Sequence, residues 1–482
     1  MSHWPEMHAR FRPQAEALVD LGTGRRWTWA QLHADSLAWA ATLHEAGVGP
    51  GQTVAVLALN RGETFALLFA AAHLGAVLFP MNWRLSAPEL RWQAEHAQPR
   101  LLLHDEPHAG LAAELGLPLR SLEQPPLDLL APPRARQGNA LSDAWQLMYT
   151  SGSSGRPKGA LISHGQVHWN ALATILACEL RAEHSTLTFA PLFHTGGMNC
   201  LSTPLLHRGG RVVLTPRLDA GEALASVAGE QISHLMGVPT IYQLLADHPD
   251  FEGTDLSSVQ DAICGGAPLG EALLQRYLDR GIPLRQGFGL TEVGPNCFST
   301  PPARVREKLG TVGLPIHHIE ARLSRPDGSE CDCDEPGELW LRGPMVCQGY
   351  LHDPAATASS IVEGWFRTGD VLSRDAEGYF RVRGRLKEMY ISGGENVYPA
   401  EVEAVLQGHP AVALAAVKGV PDARWGEVGS AFLELLPGAS LSADELLDWL
   451  RPRLARYKLP KRVEILSALP RTGSGKIDKA AL

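Results

Sequence analysis

The stretch Tyr149-Thr150-Ser151-Gly152-Ser153-Ser154-Gly155-Arg156-Pro157-Lys158-Gly159 gathers small, hydroxylated and glycine residues around two cations. Backbone N–H groups of such a loop can approach phosphate oxygens closely, and Arg156 and Lys158 add positive charge. Trp145 to Met148 before it reads as a buried strand. Ser163 and Gln166 behind it have capping-box spacing, which predicts a helix from about His164. The same composition suits an ordinary surface loop. It is not the phosphate loop of GxxxxGK[ST] type, because Gly159 rather than Ser or Thr follows Lys158.

A second cluster is Gln286-Gly287-Phe288-Gly289-Leu290-Thr291-Glu292. A hydroxyl can donate to a phosphate oxygen while the adjacent carboxylate reaches a Mg²⁺ shared with the phosphates. A Glu at the exposed N-terminus of a helix is the competing account. In Trp365-Phe366-Arg367-Thr368-Gly369-Asp370 a carboxylate stands beyond a glycine turn, placed to accept from ribose hydroxyls or simply to make the turn. The fork of donors on Arg385 suits ribose or phosphate oxygens. The C-terminal Pro470-Arg471-Thr472-Gly473-Ser474-Gly475-Lys476 carries a lysine on a loop free to enter and leave a site.

Two Gly-bearing turns, Gly237-Val238-Pro239 and Gly265-Gly266-Ala267-Pro268, follow strand-like runs, where missing Cβ atoms let a flat ring lie on bare backbone or merely ease the turn. Pro191-Leu192-Phe193-His194-Thr195-Gly196-Gly197-Met198 also follows a predicted strand, Ser185 to Ala190. Ligands of open α/β sheets bind beyond the carboxyl ends of strands. His194 is then a wall of a substrate site or a structural histidine, and Gly196, Gly197 and Met198 would leave room for an apolar group.

These residues need elements to hold them. Thr53 to Leu59, Ala76 to Phe79 and Leu101 to Leu103 read as strands, and Glu63 to Leu74 and Ser86 to Ala97 as helices. The alternation implies a mostly parallel sheet covered on both faces. Residues 106–137, rich in Pro, Ala and Leu, read as a connection. Residues 310–383 become mainly β, and 389–482 read as a compact α+β unit with nine basic residues in its last 32 positions. That basic face could attract a polyanion or only water.

Composition narrows the classes. The chain has 482 residues, 45% hydrophobic and 20% charged, with a formal charge of −9, which argues against a general nucleic-acid binder. Seven dispersed cysteines fit reduced thiols in a cytosol, and Cys331 and Cys333 lack a second pair that would make a zinc site. No signal peptide or membrane span is evident, so a soluble cytoplasmic protein is expected.

The motifs around Lys158, Thr291-Glu292, Asp370, Arg385, Ser392-Gly393-Gly394 and Lys476, in this order, resemble those of the AMP-forming adenylating enzymes: acyl-CoA synthetases, luciferases and peptide-synthetase adenylation domains. The resemblance spans essentially the whole chain. It implies an α/β fold, with a large N-terminal domain (residues 1–384) of stacked α/β subdomains plus a small β subdomain. A hinge (385–388, at Lys387) and a small, mobile α+β C-terminal domain (389–482) would follow. It implies an acyl-CoA synthetase using ATP, Mg²⁺ and CoA through an acyl-adenylate, a medium- or long-chain fatty acid being favoured over an aromatic acid. Loading of a separate carrier protein and a silent nucleotide-binding protein are the alternatives.

By the same resemblance the ATP site comprises Thr150, Ser151, Gly152, Ser153, Ser154, Gly155, Lys158, Gly265, Gly266, Ala267, Gly287, Phe288, Gly289, Thr291, Asp370, Arg385 and Lys476. Glu292 is the metal residue. Catalytic candidates are Lys476, Thr291, Glu292 and His194. The acyl pocket is assigned to His194, Gly196, Gly197, Met198 and Val238, the thioester-step loop to Ser392, Gly393 and Gly394, and the CoA path to Trp425 and Gly426. Phe288 stands where the family often has Tyr, which removes a hydroxyl, and Glu388 where many relatives have Asp. Small-molecule partners are expected, with oligomeric state left open, a homodimer included.

Overall fold

The computed structural model describes residues 3–127, 140–150, 157–266, 269–392, 395–422, 424–472 and 476–482. Two large sheets dominate. One runs in the order Leu284–Gln286, Asp261–Cys264, His234–Gly237, Ser185–Thr188, Arg211–Leu214, Glu16–Asp20 and Arg25–Thr28, parallel except for its last pair. The other runs Leu119–Ser121, Leu101–His104, Thr53–Leu57, Val77–Pro80, Ala144–Thr150 and Lys158–Ser163, again parallel up to an antiparallel last pair.

The strands are near-continuous apolar runs because both faces of each sheet are covered. The helix Gly62–Leu74 shows the same logic: it is buried almost throughout and shares one core with Leu18 and Val212 of the first sheet and Val54 and Leu78 of the second. A helix apolar all round has no solvent face and must lie between layers. Separate cores cover the outer faces, one around Phe189, Tyr242 and Tyr277, the other around Phe79, Leu90 and Leu102. Among the described residues no helix is long and apolar enough to cross a membrane.

A small antiparallel β region follows, in which Glu320–Ser324, Gly337–Arg342 and Trp365–Arg374 pair in turn and Phe380–Arg385 joins the last. The C-terminal unit holds a five-stranded sheet with the helices Pro399–Gln407 and Ala443–Leu450 over its own core. The expected mixed α/β architecture, with a large N-terminal and a small C-terminal domain, is therefore present.

Four expectations change. The loop after Thr150 joins antiparallel strands, Thr150 facing Lys158, so a strand stands between the loop and the helix His164–Ala177. Asp370 lies inside the strand Trp365–Arg374 rather than beyond its end, because a register shift at Val371–Leu372 lets the chain bend there without leaving the sheet. The described part of 106–137 is more than a connection, since it holds a short helix, Ala109–Ala113, and the edge strand Leu119–Ser121. No helix starts at Glu292, which occupies the turn of a hairpin between Phe288–Leu290 and Gly294–Ser299.

Candidate active site

Four neighbouring strands of the first large sheet end side by side at its carboxyl edge. Gly287 N–H donates to Cys264 O at 2.8 Å, and Gly265 N–H to Gly237 O at 3.0 Å. The turns Gln286-Gly287-Phe288, Gly265-Gly266 and Gly237-Val238 are thereby set in a row, and the Ser185–Thr188 strand next to them leads into His194. Gly266 adopts φ +80°, which glycine alone enters without steric cost, with Val238 Cγ1 3.5 Å from where a Cβ would stand. Phe288 is half-buried and meets Phe298 edge-on at 5.7 Å. Ala267 and Ser151 to Gly155 lie outside the described residues. Gly289 is dictated by backbone, since a Cβ there would stand 2.1 Å from Pro295 O.

Glu292 is buried, and its Oε1 accepts from Thr150 Oγ1 at 3.2 Å and from Tyr350 OH at 3.0 Å. Its backbone carbonyl accepts from Cys347 N–H at 2.7 Å, and Gln166 Nε2 donates to Thr291 O at 2.8 Å. The turn is thus held from three elements. Lys158 Nζ lies 5.0 Å from the Tyr350 ring centroid. Sequence reasoning missed Tyr350, which is 58 residues from Glu292. Its place comes from backbone pairing of Gly349 and Leu351 with the strand Lys158–Ser163. A carboxylate with one oxygen committed and the other without a hydrogen bond among the described residues suits a Mg²⁺ completed by substrate oxygens and water. No group of three or more His, Cys, Asp or Glu able to hold a metal occurs among the described residues.

Asp370 and Arg385 face each other across two strands, with Nε donating to Oδ1 at 3.0 Å. Burial raises the Asp370 carboxyl above its usual range, and Arg385 and Lys476 pull it back only partly. Lys476 lies within electrostatic reach of Arg385, Asp370, Glu292 and Glu388. Many protein atoms surround it, yet the residue stays exposed. Desolvation and then Arg385 lower its pKa against the pull of the carboxylates.

His194 lies within reach of Lys476 as well. Burial first, then Lys476 and Arg84, push its pKa down to about 4. Its Nε2 is buried and has no hydrogen-bond partner among the described residues. The loop around it is pinned by amides: Asn60 Oδ1 accepts from Leu192 N–H at 3.0 Å, and Asn199 Nδ2 donates to Gln146 at 2.8 Å. Gly196–Cys200 forms one turn of π-helix, a distortion frequent at functional sites.

The glycines do not make room here as expected. A Cβ on Gly197 would stand 2.4 Å from Pro191 O, and one on Gly196 2.9 Å from Met236 Cε, so protein already fills that space. Met198 is fully buried in the core between the sheets. The exposed Arg84, 5.0 Å from the Trp83 ring and 5.8 Å from that of Phe193, was also missed, because neither its spacing nor its composition marks it.

Ser392 pairs with Gly426 in the C-terminal sheet, so two separately chosen segments are neighbours. Trp425 is exposed beside them, under the Arg424 guanidinium at 4.9 Å, and Gly393 and Gly394 lie outside the described residues. Lys387 is exposed in the turn after Arg385, where Leu386 N–H donates to Gly369 O at 2.9 Å.

Comparison with known proteins agrees with this geometry. Residues 5–351 match the model of the AMP-binding enzymes and 401–476 that of the AMP-binding enzyme C-terminal domain. The chain is 44% identical to a feruloyl-CoA synthase of Amycolatopsis sp, over 99% of this chain and 97% of the relative. It is 38% identical to an indoleacetate–CoA ligase of Aromatoleum aromaticum, over 99% and 96%. The o-succinylbenzoate CoA synthetase of Bacillus subtilis with its acyl-adenylate superposes with a TM-score of 0.91 at 32% identity, covering 98% of this chain and 96% of that one. A double mutant of the same enzyme bound to a CoA product analogue superposes at 0.75 with 32% identity, over 100% and 98%. The chain belongs to the AMP-binding enzyme family, among the adenylate-forming acid–CoA ligases.

Proposed function

We propose that this enzyme joins an aromatic or arylalkanoic acid to CoA. In the first half-reaction the carboxylate oxygen attacks the α-phosphorus of ATP and the bond to pyrophosphate breaks. In the second the CoA thiol attacks the acyl carbon and AMP leaves. The observation that carries this reading is the convergence of Lys476 with Asp370, Arg385, Glu292 and His194, which come from separate parts of the chain. Two anions must meet, so positioning and charge neutralisation do most of the catalysis.

Lys476 bridges the carboxylate and the α-phosphate; desolvation, then Arg385, lower its pKa. Asp370 and Arg385 take the ribose, and the turns at Gly265, Gly266, Gly287 and Phe288 the adenine. Thr150, Lys158 and Thr291 hold phosphate oxygens. Glu292 would hold Mg²⁺, which neutralises the phosphates when bound.

His194, Val238 and the neighbouring Phe193 wall the acid. The neutral imidazole, with Nε2 free of partners among the described residues, is available to a substrate oxygen. The aromatic reading is supported by the two curated relatives and the structural one, all named for aromatic acids. A fatty acid is the competing substrate.

The junction at 385–388 serves as hinge between residues 1–384 and 389–482, with Lys387 at the pivot. The better match to the acyl-adenylate complex than to the product-analogue complex supports reading this arrangement as that of the first half-reaction. Rotation about Lys387 then withdraws Lys476 and brings in Ser392, Gly393 and Gly394, with Trp425 and Gly426 on the CoA path. The free cysteines fit a cytoplasmic setting.

AMP and pyrophosphate release should be measured over ferulic, indoleacetic, benzoic and fatty acids, with and without CoA. CoA-dependent AMP formation with the aromatic acids is the expected result. Preference for fatty acids overturns the substrate class, pyrophosphate without CoA stimulation points to a carrier-protein acceptor, and ADP as product overturns adenylation.

A further inference from the structure

Lys476 must be held at a defined depth, yet it sits on a loop near the end of the chain. What fixes the base of that loop is visible. Thr472 N–H donates to Lys476 O at 2.8 Å, Arg471 and Ile477 form a β-bridge, and Asp478 N–H donates to Pro470 O at 2.8 Å. The outgoing segment then turns at Lys479, whose ammonium meets two carboxylates. Nζ lies 2.9 Å from Glu388 Oε2 and 2.7 Å from Glu403 Oε1.

Neither partner is a free surface residue. Glu388 closes the turn that starts at Arg385, its own N–H donating to Arg385 O at 3.1 Å. Glu403, on the helix Pro399–Gln407, also accepts from Val417 N–H at 2.7 Å and is therefore fixed to the C-terminal sheet. The three side chains keep 25%, 31% and 14% of their surface exposed, so the pair is shielded from water more than an ordinary surface ion pair. Burial alone would lower the Lys479 pKa, but the two carboxylates raise it, so the lysine stays charged.

We infer that Lys479 is the positioning residue for Lys476: by binding Glu388 and Glu403 together it fastens the base of the lysine loop to the hinge turn and to the C-terminal helix. It has a second effect. Glu388 is one of the carboxylates whose charge reaches Lys476, and an unbound Glu388 would compete with the substrate anions for that lysine. Lys479 neutralises the competitor. The inference rests on the role of Lys476 proposed above. Lys479 and Glu403 belong to the C-terminal domain and Glu388 is the last hinge position, just past the Lys387 pivot, so the three keep together when the small domain turns. The device therefore serves adenylation, in which Lys476 is inserted, and leaves thioester formation alone.

The test compares Lys479→Met, Lys479→Arg and Glu388→Gln with Lys476→Ala, all as the full chain. Pyrophosphate release is followed with the best acid of the panel, and thioester formation separately from the preformed acyl-adenylate and CoA. Lys479→Met is expected to slow adenylation about 10- to 100-fold, as a misplacement of roughly 1 Å at a reacting group does, with the thioester step within about 2-fold. Lys479→Arg recovers most of the loss, and Glu388→Gln gives a smaller loss in the same step. Without any substrate, hydrogen exchange at the Asp478 amide quickens in Lys479→Met while the melting temperature stays close to that of the parent.

Equal losses in both half-reactions together with a lowered melting temperature would overturn the inference in favour of a purely structural ion pair. So would unchanged adenylation or unchanged exchange at Asp478. If Lys476→Ala itself releases pyrophosphate at the parent rate, the reading of the site fails and the inference with it. If Lys476→Ala is inactive and Lys479→Met is not, the inference alone fails.

Discussion

The parts of the site proposed for the nucleotide and for the acid, below called its nucleotide side and its acid side, are built on opposite plans. On the nucleotide side the polar groups are paired with one another before any substrate arrives: Asp370 with Arg385, Glu292 with Thr150 and Tyr350. On the acid side one imidazole nitrogen is buried without a partner among the described residues, amid groups otherwise held by apolar contacts and buried amides. A ligand of fixed chemistry rewards pre-organised donors and acceptors, since no reorganisation is then needed during the reaction. A variable acid is met by shape and one adaptable polar contact. The first plan has to be the same for every acid the enzyme uses, and the second does not.

Behind the nucleotide turns the plan reaches into the core. Arg285, 2% exposed, binds Asp261 on the adjacent strand and also Thr300 O, tying two strand ends together beneath Gly265 and Gly287. Arg285→Met should cost about 3–5 kcal/mol of stability, because it strands the Asp261 charge in the interior; urea unfolding measures it. A loss under about 1 kcal/mol would mean the nucleotide side is not anchored this way. Lys476→Ala should slow pyrophosphate release by roughly 10²–10³, with little change in the use of preformed acyl-adenylate. Asp370→Ala should lower kcat/KM for ATP about 10- to 100-fold, the loss expected for a hydrogen bond to a charged group. The KM of the acid should move much less, and equal changes in both would erase the distinction between the two sides.

On the acid side Gly197→Ala should destabilise by about 1–3 kcal/mol through overpacking against the Pro191 carbonyl. A variant of normal stability with altered acid preference would restore the idea that this glycine makes room for substrate. The smallest effect concerns pH. His194, His207 and His234 are each held to about 4, chiefly by burial. In the unfolded chain they take up protons near 6.5, so stability is full above that pH and falls as pH drops from about 6.5 towards 4. The slope of the unfolding free energy over that window should shrink in His207→Gln. His194→Asn should leave the shape of the activity profile between pH 6 and 8 unchanged, because the imidazole is already neutral there.

On the proposed nucleotide side, residues singled out along the chain do come together, Thr150 with Glu292 and Asp370 with Arg385. Its residues sit in short polar runs where strands or turns meet the cleft, and such runs stand out against apolar elements: Thr291-Glu292, Gly369-Asp370, Gly384-Arg385. Helix starts at Ala87 and His164 followed from the caps at Ser86 and Ser163, local hydrogen bonds that need nothing beyond three residues of sequence. Alternation of strand and helix was enough for the α/β class, because a parallel strand requires a crossover.

What the sequence could not contain is which distant groups meet. Tyr350 and Arg84 carry no local mark, and only the packing of the β region against the second sheet brings Tyr350 to Glu292. The glycines after His194 looked like open space, whereas backbone carbonyls and Met236 occupy it. Lys479 was one of nine basic residues on a stretch read as a charged face, and two carboxylates far away in sequence turn it into a fastening. Chemistry that depends on residue type and neighbouring residues is written along the chain. Chemistry that depends on desolvation and on partners across loops exists only once the layers have closed.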